Sequence, residues 1–302
     1  VLWVATAGGL YRMGDLETEN SFEAFDKTLI NGDEVWNIHV GSNGVLWASV
    51  LGSGVSKIVK SSKIFASLGA LGISNVYEYK RKSHIVTSIS EVRDSLVLFG
   101  TRLGVLDIWD RKSDRMYHYK SAGLYDKIDS RSNAVLSVVD DTINNLTWIS
   151  TRYDGVYYIN NRNRSAHRVR DVYPSMRFSV GVSIENDGTA LIATSGRVFS
   201  LRFKNVDTDE YEVKEYKNVA SFIDGANIQT IVRYEGKLWI GTDIGGILCL
   251  EGDSITSHYS VENSKINFNN ISTFYVDSDN ILWVGTLGGG LNRYDRESDS
   301  FR

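Results

Sequence analysis

The 302-residue sequence has a single cysteine, Cys249, so no disulfide can form within the chain. That residue sits in the apolar run Ile247-Leu248-Cys249-Leu250, where a lone thiol reads as a small buried hydrophobe. No stretch of 18 apolar residues occurs, which excludes a membrane-spanning helix in this segment. The opening residues carry no signal-peptide pattern. Charge of neither sign dominates. Lys and Arg number 33 and Asp and Glu 37, a formal net charge of −4 that argues against nucleic acid or an anionic membrane surface as a general partner. Apolar residues nowhere recur at i, i+3, i+4 and i+7 over a long stretch, so helices should be scarce. The five histidines, His39, His84, His118, His167 and His258, lie far apart, and none has metal-ligand spacing with Asp, Glu or Cys. No metal and no cofactor is expected.

What the chain has instead is a repeat. Leu282-Trp283-Val284-Gly285-Thr286 followed by Gly288-Gly289-Gly290 recurs as Leu238-Trp239-Ile240-Gly241-Thr242 with Gly245-Gly246, and as Leu2-Trp3-Val4-Ala5-Thr6 with Gly8-Gly9. Leu46-Trp47-Ala48-Ser49 and Thr147-Trp148-Ile149-Ser150-Thr151 are two further copies, and worn ones stand at Leu98-Phe99-Gly100-Thr101 and Leu191-Ile192-Ala193-Thr194. The Trp position falls at residues 3, 47, 98, 148, 191, 239 and 283, with gaps of 44, 51, 50, 43, 48 and 44. Seven copies at that spacing fit one four-stranded blade each, since blades run roughly 40 to 50 residues. The copies are short runs of Val, Ile, Trp, Tyr and Leu broken by Asp-Asn or Gly-Gly turns, which is strand–turn–strand chemistry. The expected fold is therefore all-β: a single seven-bladed β-propeller of four antiparallel strands per blade. The blades are expected at about 1–30, 31–69, 84–123, 132–171, 176–218, 226–260 and 269–302.

Blade 7 shows the unit: strands over Ile271–Val276, Ile281–Thr286 and Gly290–Tyr294, with a fourth beginning at Ser300. Blade 6 reads as Asn227–Arg233, Lys237–Thr242, Gly246–Leu250 and Ser254–Tyr259. Trp3, Trp47, Trp148, Trp239 and Trp283 share one register position, where a large flat side chain fills the gap between neighbouring sheets. Trp36 and Trp109 fall outside it. The chain opens inside the second strand of blade 1, so the first blade is expected to lack its inner strand and the chain to be a fragment of a longer polypeptide.

The pattern apolar-x-x-Asp-x-x-Asn-apolar-Trp-apolar-Gly-Thr-x-x-Gly-Gly-apolar-x-x-Tyr-Asp over residues 274–295 resembles the two-component regulator propeller repeat. Blades 1, 2, 4, 6 and 7 match well. Blade 3 has Leu98 for the Trp, and blade 5 has Ser195-Gly196-Arg197 in place of the glycine pair. The resemblance implies the periplasmic sensor region of a bacterial inner-membrane receptor. There, propeller rings precede an immunoglobulin-like domain, a membrane helix and a histidine kinase or a diguanylate cyclase. It further implies an oligosaccharide ligand, homodimer contacts, and a ring that senses or dimerises and does not catalyse.

A ligand site is expected at the turn between second and third strands, where propellers usually meet ligands. The residue after the repeated Thr varies: Ala7, Leu51, Arg102, Arg152, Ser195, Asp243 and Leu287. Arg102 and Arg152 fall in adjacent blades, and Arg197 lies two positions further on in blade 5. These three form a candidate basic arc for a carboxylate or sulfate group. Tyr153 is placed to stack on a sugar ring. The plain alternative is a set of solvated turn residues paired with Asp154 and Asp243. The long connection Gly69–Ser83, with Tyr77, Tyr79, Lys80, Arg81 and Lys82, is a second candidate contact.

Two other function classes make different demands on the sequence. A propeller enzyme of the streptogramin-lyase or polysaccharide-lyase type needs a His and carboxylates converging on the channel. Only His39 and His84 lie on expected inner strands, and no nucleophile elbow or full Asp box is present. Asp187-Gly188-Thr189 is a partial echo of the latter, and Asp140-Asp141 lies in a strand turn. An intracellular interaction scaffold would carry Gly-His and Trp-Asp dipeptides in register, whereas Trp109-Asp110 occurs once and out of register. No enzymatic activity is expected of this segment.

Overall fold

In the computed structural model, the described residues are 1–14, 21–25, 30, 32–41, 44–58, 66–67, 85–92, 95–102, 104, 106–113, 115–118, 134–169, 179–223 and 225–302. They form seven small antiparallel sheets in chain order, the set expected of a seven-bladed β-propeller. Sheet 1 has three strands, β1 (Leu2–Thr6), β2 (Gly9–Met13) and β3 (Glu23–Ala24). Sheet 2 holds β4 (Val35–Val40), β5 (Leu46–Val50), β6 (Gly54–Ile58) and β7 (Ala66–Ser67). Sheet 3 holds β8 (Val86–Val92), β9 (Leu96–Thr101), β10 (Leu106–Asp110) and β11 (Arg115–His118). Sheet 4 holds β12 (Val135–Asp141), β13 (Leu146–Thr151), β14 (Gly155–Asn160) and β15 (Ala166–Arg168). Sheet 5 holds β16 (Ser179–Ile184), β17 (Ala190–Thr194), β18 (Val198–Asn205) and β19 (Glu210–Glu215). Sheet 6 follows as β20 (Ile228–Tyr234), β21 (Lys237–Thr242), β22 (Ile247–Glu251) and β23 (Ser254–Tyr259). Sheet 7 is β24 (Ile271–Val276), β25 (Leu282–Thr286), β26 (Gly290–Asp295) and β27 (Ser300–Phe301). One short helix, α1 (Lys217–Phe222), joins sheets 5 and 6. In sheet 1 the Trp-bearing strand comes first, and among the described residues no strand stands in the place of the other sheets' first strand.

The chain divides into two compact units. The first is Val1–Asp140 with Thr147–Tyr153 and Asn163–His167. The second is Asp141–Leu146, Asp154–Arg162 and Arg168–Arg302. The dividing line runs through sheet 4. Within each unit the first strands of successive sheets are neighbours, β4 beside β8, and β20 beside both β16 and β24.

The core lies between sheets, and this explains the composition of the second strands. Successive side chains of a strand point to opposite faces. In β5 every residue is buried, because Leu46, Ala48 and Val50 pack with Leu10 and Ile30 on one side while Trp47 packs with Phe99 and Trp109 on the other. A strand covered on both faces reads as a continuous apolar run. Trp109, out of register in the sequence, enters the same gap from the third strand of sheet 3 and meets Trp47 edge-on at 5.0 Å. Trp47, Trp148, Trp239 and Trp283 are buried, and Trp3 is half-buried against Phe25.

The residue two positions after the Trp must be small. A Cβ on Gly241 would lie 2.5 Å from Cγ2 of Ile271 on the first strand of sheet 7, and one on Gly100 would lie 2.5 Å from Cγ1 of Val135 on the first strand of sheet 4. Ala5, Ser49, Ser150 and Ala193 occupy the equivalent places elsewhere.

Candidate functional site

The turns after the second strands are built by the repeated Thr. Its hydroxyl donates back to the carbonyl that opens the third strand: Thr6 to Gly9 at 2.9 Å, Thr242 to Gly246 at 3.0 Å and Thr286 to Gly290 at 2.9 Å. Thr194 does the same to Arg197 at 3.1 Å, so sheet 5 keeps the latch without the glycine pair. In five sheets the next residue's N–H is also consumed. Leu51 donates to Glu34, Arg102 to Ile85, Arg152 to Ala134, Asp243 to Asn227 and Leu287 to Asn270, all at 2.8–2.9 Å. With the backbone satisfied, only the side chain of this position varies between sheets.

The six candidate residues separate into two groups. Arg102 and Arg152 are exposed, at equivalent ends of sheets 3 and 4. Those sheets adjoin in the first unit, where the Thr87 hydroxyl donates to the Val135 carbonyl. Tyr153 is 44% exposed, with the Arg152 guanidinium carbon 5.8 Å from its ring centroid. The other three belong to the second unit. Asp154 accepts from Arg168 and from the Tyr157 hydroxyl. Arg197 pairs with Glu215 at 3.1 Å. Asp243 clamps Asn227, accepting its backbone N–H at 2.7 Å and its side-chain amide at 2.8 Å. The Gly69–Ser83 connection, with Tyr77, Tyr79, Lys80, Arg81 and Lys82, lies outside the described residues, as does His84.

The other histidines have separate local settings. His167 shares a hydrogen bond with Ser165 at 2.8 Å, and His258 meets the Gly245 carbonyl at 2.7 Å. His39 on β4 has Nε2 4.0 Å from a Glu91 carboxylate oxygen, and that carboxylate is also paired with Arg111. Burial pushes the His39 pKa below 6.5, Glu91 opposes the shift and Arg111 reinforces it. A histidine held neutral in the fold binds its proton more readily when unfolded. Its contribution is therefore intact above about pH 6.5 and is lost as pH falls below that. We expect the urea midpoint to drop between about pH 7.5 and 5.5, and the drop to shrink in His39→Gln. Identical pH profiles for the two proteins would refute this. Among the described residues no group of three His, Cys, Asp or Glu is placed to hold a metal ion, and no helix is long and apolar enough to cross a membrane.

Sheet 7 gives the chemical sense of the repeat's polar positions. One Asp277 oxygen accepts the Asp279 N–H at 3.0 Å and the Ile281 N–H at 2.8 Å, and the other accepts the Trp283 indole N–H at 2.7 Å. Asn280 takes positive φ, 58°, and its side chain reaches Glu235 of sheet 6 at 2.8 Å. Residues 265–288, which contain this turn, match the family model of the two component regulator propeller. The chain carries a regulator propeller repeat. No curated protein sequence matches the chain. Solved structures do, at low identity. One is the extracellular domain of BT4673 from B. thetaiotaomicron, described as a proposed one component and as a proposed hybrid two component system. It is 17% identical with a TM-score of 0.52, and the match covers 99% of this chain and 39% of that one. PorZ, a surface component of the type-IX secretion system of Porphyromonas gingivalis, is 15% identical with a TM-score of 0.71, over 96% of this chain and 45% of that one. The β-propeller domain of Cps50 (Swd1) from Myceliophteria thermophila is 13% identical with a TM-score of 0.52, over 70% and 67%. At these identities the likeness shows the fold alone, a seven-bladed β-propeller. The chain spans less than half the length of the BT4673 and PorZ structures.

Proposed function

We propose that this propeller is the sensor module of a bacterial two-component signalling receptor, lying on the periplasmic side of the membrane, and that it binds an acidic oligosaccharide without transforming it. The reading is supported by the regulator propeller repeat and by the likeness to a receptor's extracellular domain. One observation carries the ligand chemistry. Arg102 and Arg152 are exposed at equivalent turns of adjoining sheets, beside an exposed Tyr153. Guanidinium groups bind carboxylate or sulfate through paired hydrogen bonds, and a tyrosine ring offers a face to the C–H side of a sugar. Arg152 is a surface residue whose removal leaves the packing intact. Arg152→Ala should therefore weaken binding of an acidic oligosaccharide roughly tenfold or more, the worth of one charge-assisted hydrogen bond, with an unchanged melting temperature. Calorimetric titration with oligogalacturonate checks this, and equal affinity of the two proteins would sink it.

The same proposal includes homodimer contact. Ile244, Leu287 and Phe268, at the turn ends of sheets 6 and 7, are 64%, 67% and 44% exposed. Exposed apolar side chains gathered into one patch would mark an association surface. Sedimentation velocity of the titrated samples reads this part, and a strictly monomeric chain at all concentrations contradicts it.

A further inference from the structure

Sheet 5 carries an open groove of about 630 Å³ on its outer half. The groove draws on one face of β18 and β19, where Ser200 opposes Lys214 and Arg202 opposes Glu212. Arg202 and Lys214 are thus diagonal neighbours on one face, and both side chains are exposed. Diagonal pairs in antiparallel strands lie roughly 7–8 Å apart at the backbone, within joint reach of one carboxylate.

The charge of the groove follows from partners outside it. Of its two carboxylates, Glu185 is taken by Arg233 of sheet 6, and Glu212 by Lys204 at 2.6 Å. Neither Arg233 nor Lys204 lines the groove. Arg202 faces Glu212 across the strand pair and also acts on its carboxylate. Arg202 has Asp187 only at 4.0 Å, with both side chains at least half exposed, and Lys214 lies 5.7 Å from the ring centroid of Tyr216. An exposed pair at that distance contributes little and gives way to a better-placed anion. The lining thus holds two cations and two carboxylates, and both carboxylates have cationic partners outside it. Thr189, Ser200 and two tyrosines, Tyr211 and Tyr216, complete the lining.

We propose that this groove is a binding site for a small hydroxyl-rich carboxylate of the uronic acid class. Arg202 and Lys214 hold the carboxylate, the Ser200 and Thr189 hydroxyls meet ring hydroxyls, and Tyr216 forms a wall. The site is distinct from the Arg102 and Arg152 turns and does not depend on them.

The test is an amide NMR titration with digalacturonate, with lactose as the neutral control. Shifts are expected at Ser200, Arg202 and Lys214, and they should be absent with lactose. The double variant Arg202→Ala with Lys214→Ala should weaken this response at least tenfold. The swap Arg202→Lys with Lys214→Arg should keep it within about threefold, since it retains both charges. Both residues are exposed, so melting temperatures should not change. Arg152→Ala should leave the sheet 5 response untouched, which separates this site from the turn site. No shift on sheet 5 at millimolar digalacturonate would overturn the proposal. So would an undiminished response in the double variant, or an equal one with lactose.

Discussion

Gly246→Ala is expected to destabilise the protein by about 3 kcal/mol or more, while Gly290→Ala at the matching place in sheet 7 costs only about 1–2 kcal/mol. Gly246 immediately precedes the third strand of sheet 6 and Gly290 opens that of sheet 7, and both have positive φ, 76° and 87°. An L-residue pays the left-handed penalty at either site. The surroundings then separate them. A Cβ on Gly290 meets nothing within 4 Å, whereas one on Gly246 would lie 2.1 Å from the Tyr259 carbonyl oxygen and 3.2 Å from the Ser260 Cα. Those are backbone atoms and cannot rotate away. Moving them would also break the Gly246 N–H bond to the Asn269 carbonyl, 3.0 Å, which ties sheet 6 to the connection leading to sheet 7. Urea unfolding of the two variants checks the difference. Midpoints lowered by equal amounts would show that φ alone matters and the close approach does not.

This pair shows what a repeat pattern conveys and what it omits. Thr, Gly and Trp recur because neighbouring sheets within a unit face one another in the same way, so each repetition of the contact leaves a trace in the sequence. The second strands were legible for that reason. Lys237–Thr242 falls where its residues place it, and in sheet 7 only the first residue, Ile281, lies outside the strand. The first strand of sheet 6 runs Ile228–Tyr234, one residue later than the pattern suggests, because its end is set by a two-residue turn in which Glu235 and Gly236 both take positive φ. A glutamate is an uncommon residue in such a turn, and it gives no local signal.

The candidate site was legible only in part. The position after the Thr follows from register, and its variability suggested specificity. The partners of its charges did not follow. Arg168 finds Asp154 across 14 positions and Glu215 finds Arg197 across 18. Both pairings arise from how third and fourth strands lie side by side, which no motif encodes. The sheet 5 groove was invisible for a related reason. Alternation along Glu210–Glu215 marks an edge strand with one wetted face. That Glu212 and Glu185 would be neutralised by residues outside the groove is a tertiary fact.

Trp239→Ala should cost about 3–5 kcal/mol, the range for emptying a fully buried aromatic site. The indole is 2% exposed, stacks on Tyr259 at 5.6 Å and 10°, and meets Tyr294 edge-on at 4.8 Å and Tyr234 at 5.9 Å. Ile271, Leu282 and Val284 of sheet 7 belong to the same cluster, so the cavity would open between two sheets. Trp239→Phe separates packing from polarity. The Trp239 indole N–H is buried with no hydrogen-bond partner, whereas the Trp283 N–H has Asp277. The difference lies in the preceding turn. Sheet 7 has the five residues 277–281, which include the Asp, and sheet 6 has only Glu235-Gly236. Phenylalanine at 239 removes an unpaired donor and keeps most of the aromatic contact, so its cost should stay below about 2 kcal/mol. Denaturant unfolding of both variants decides the point. A Phe variant as unstable as the Ala variant would mean that the indole's polar edge, and not its bulk, holds sheets 6 and 7 together.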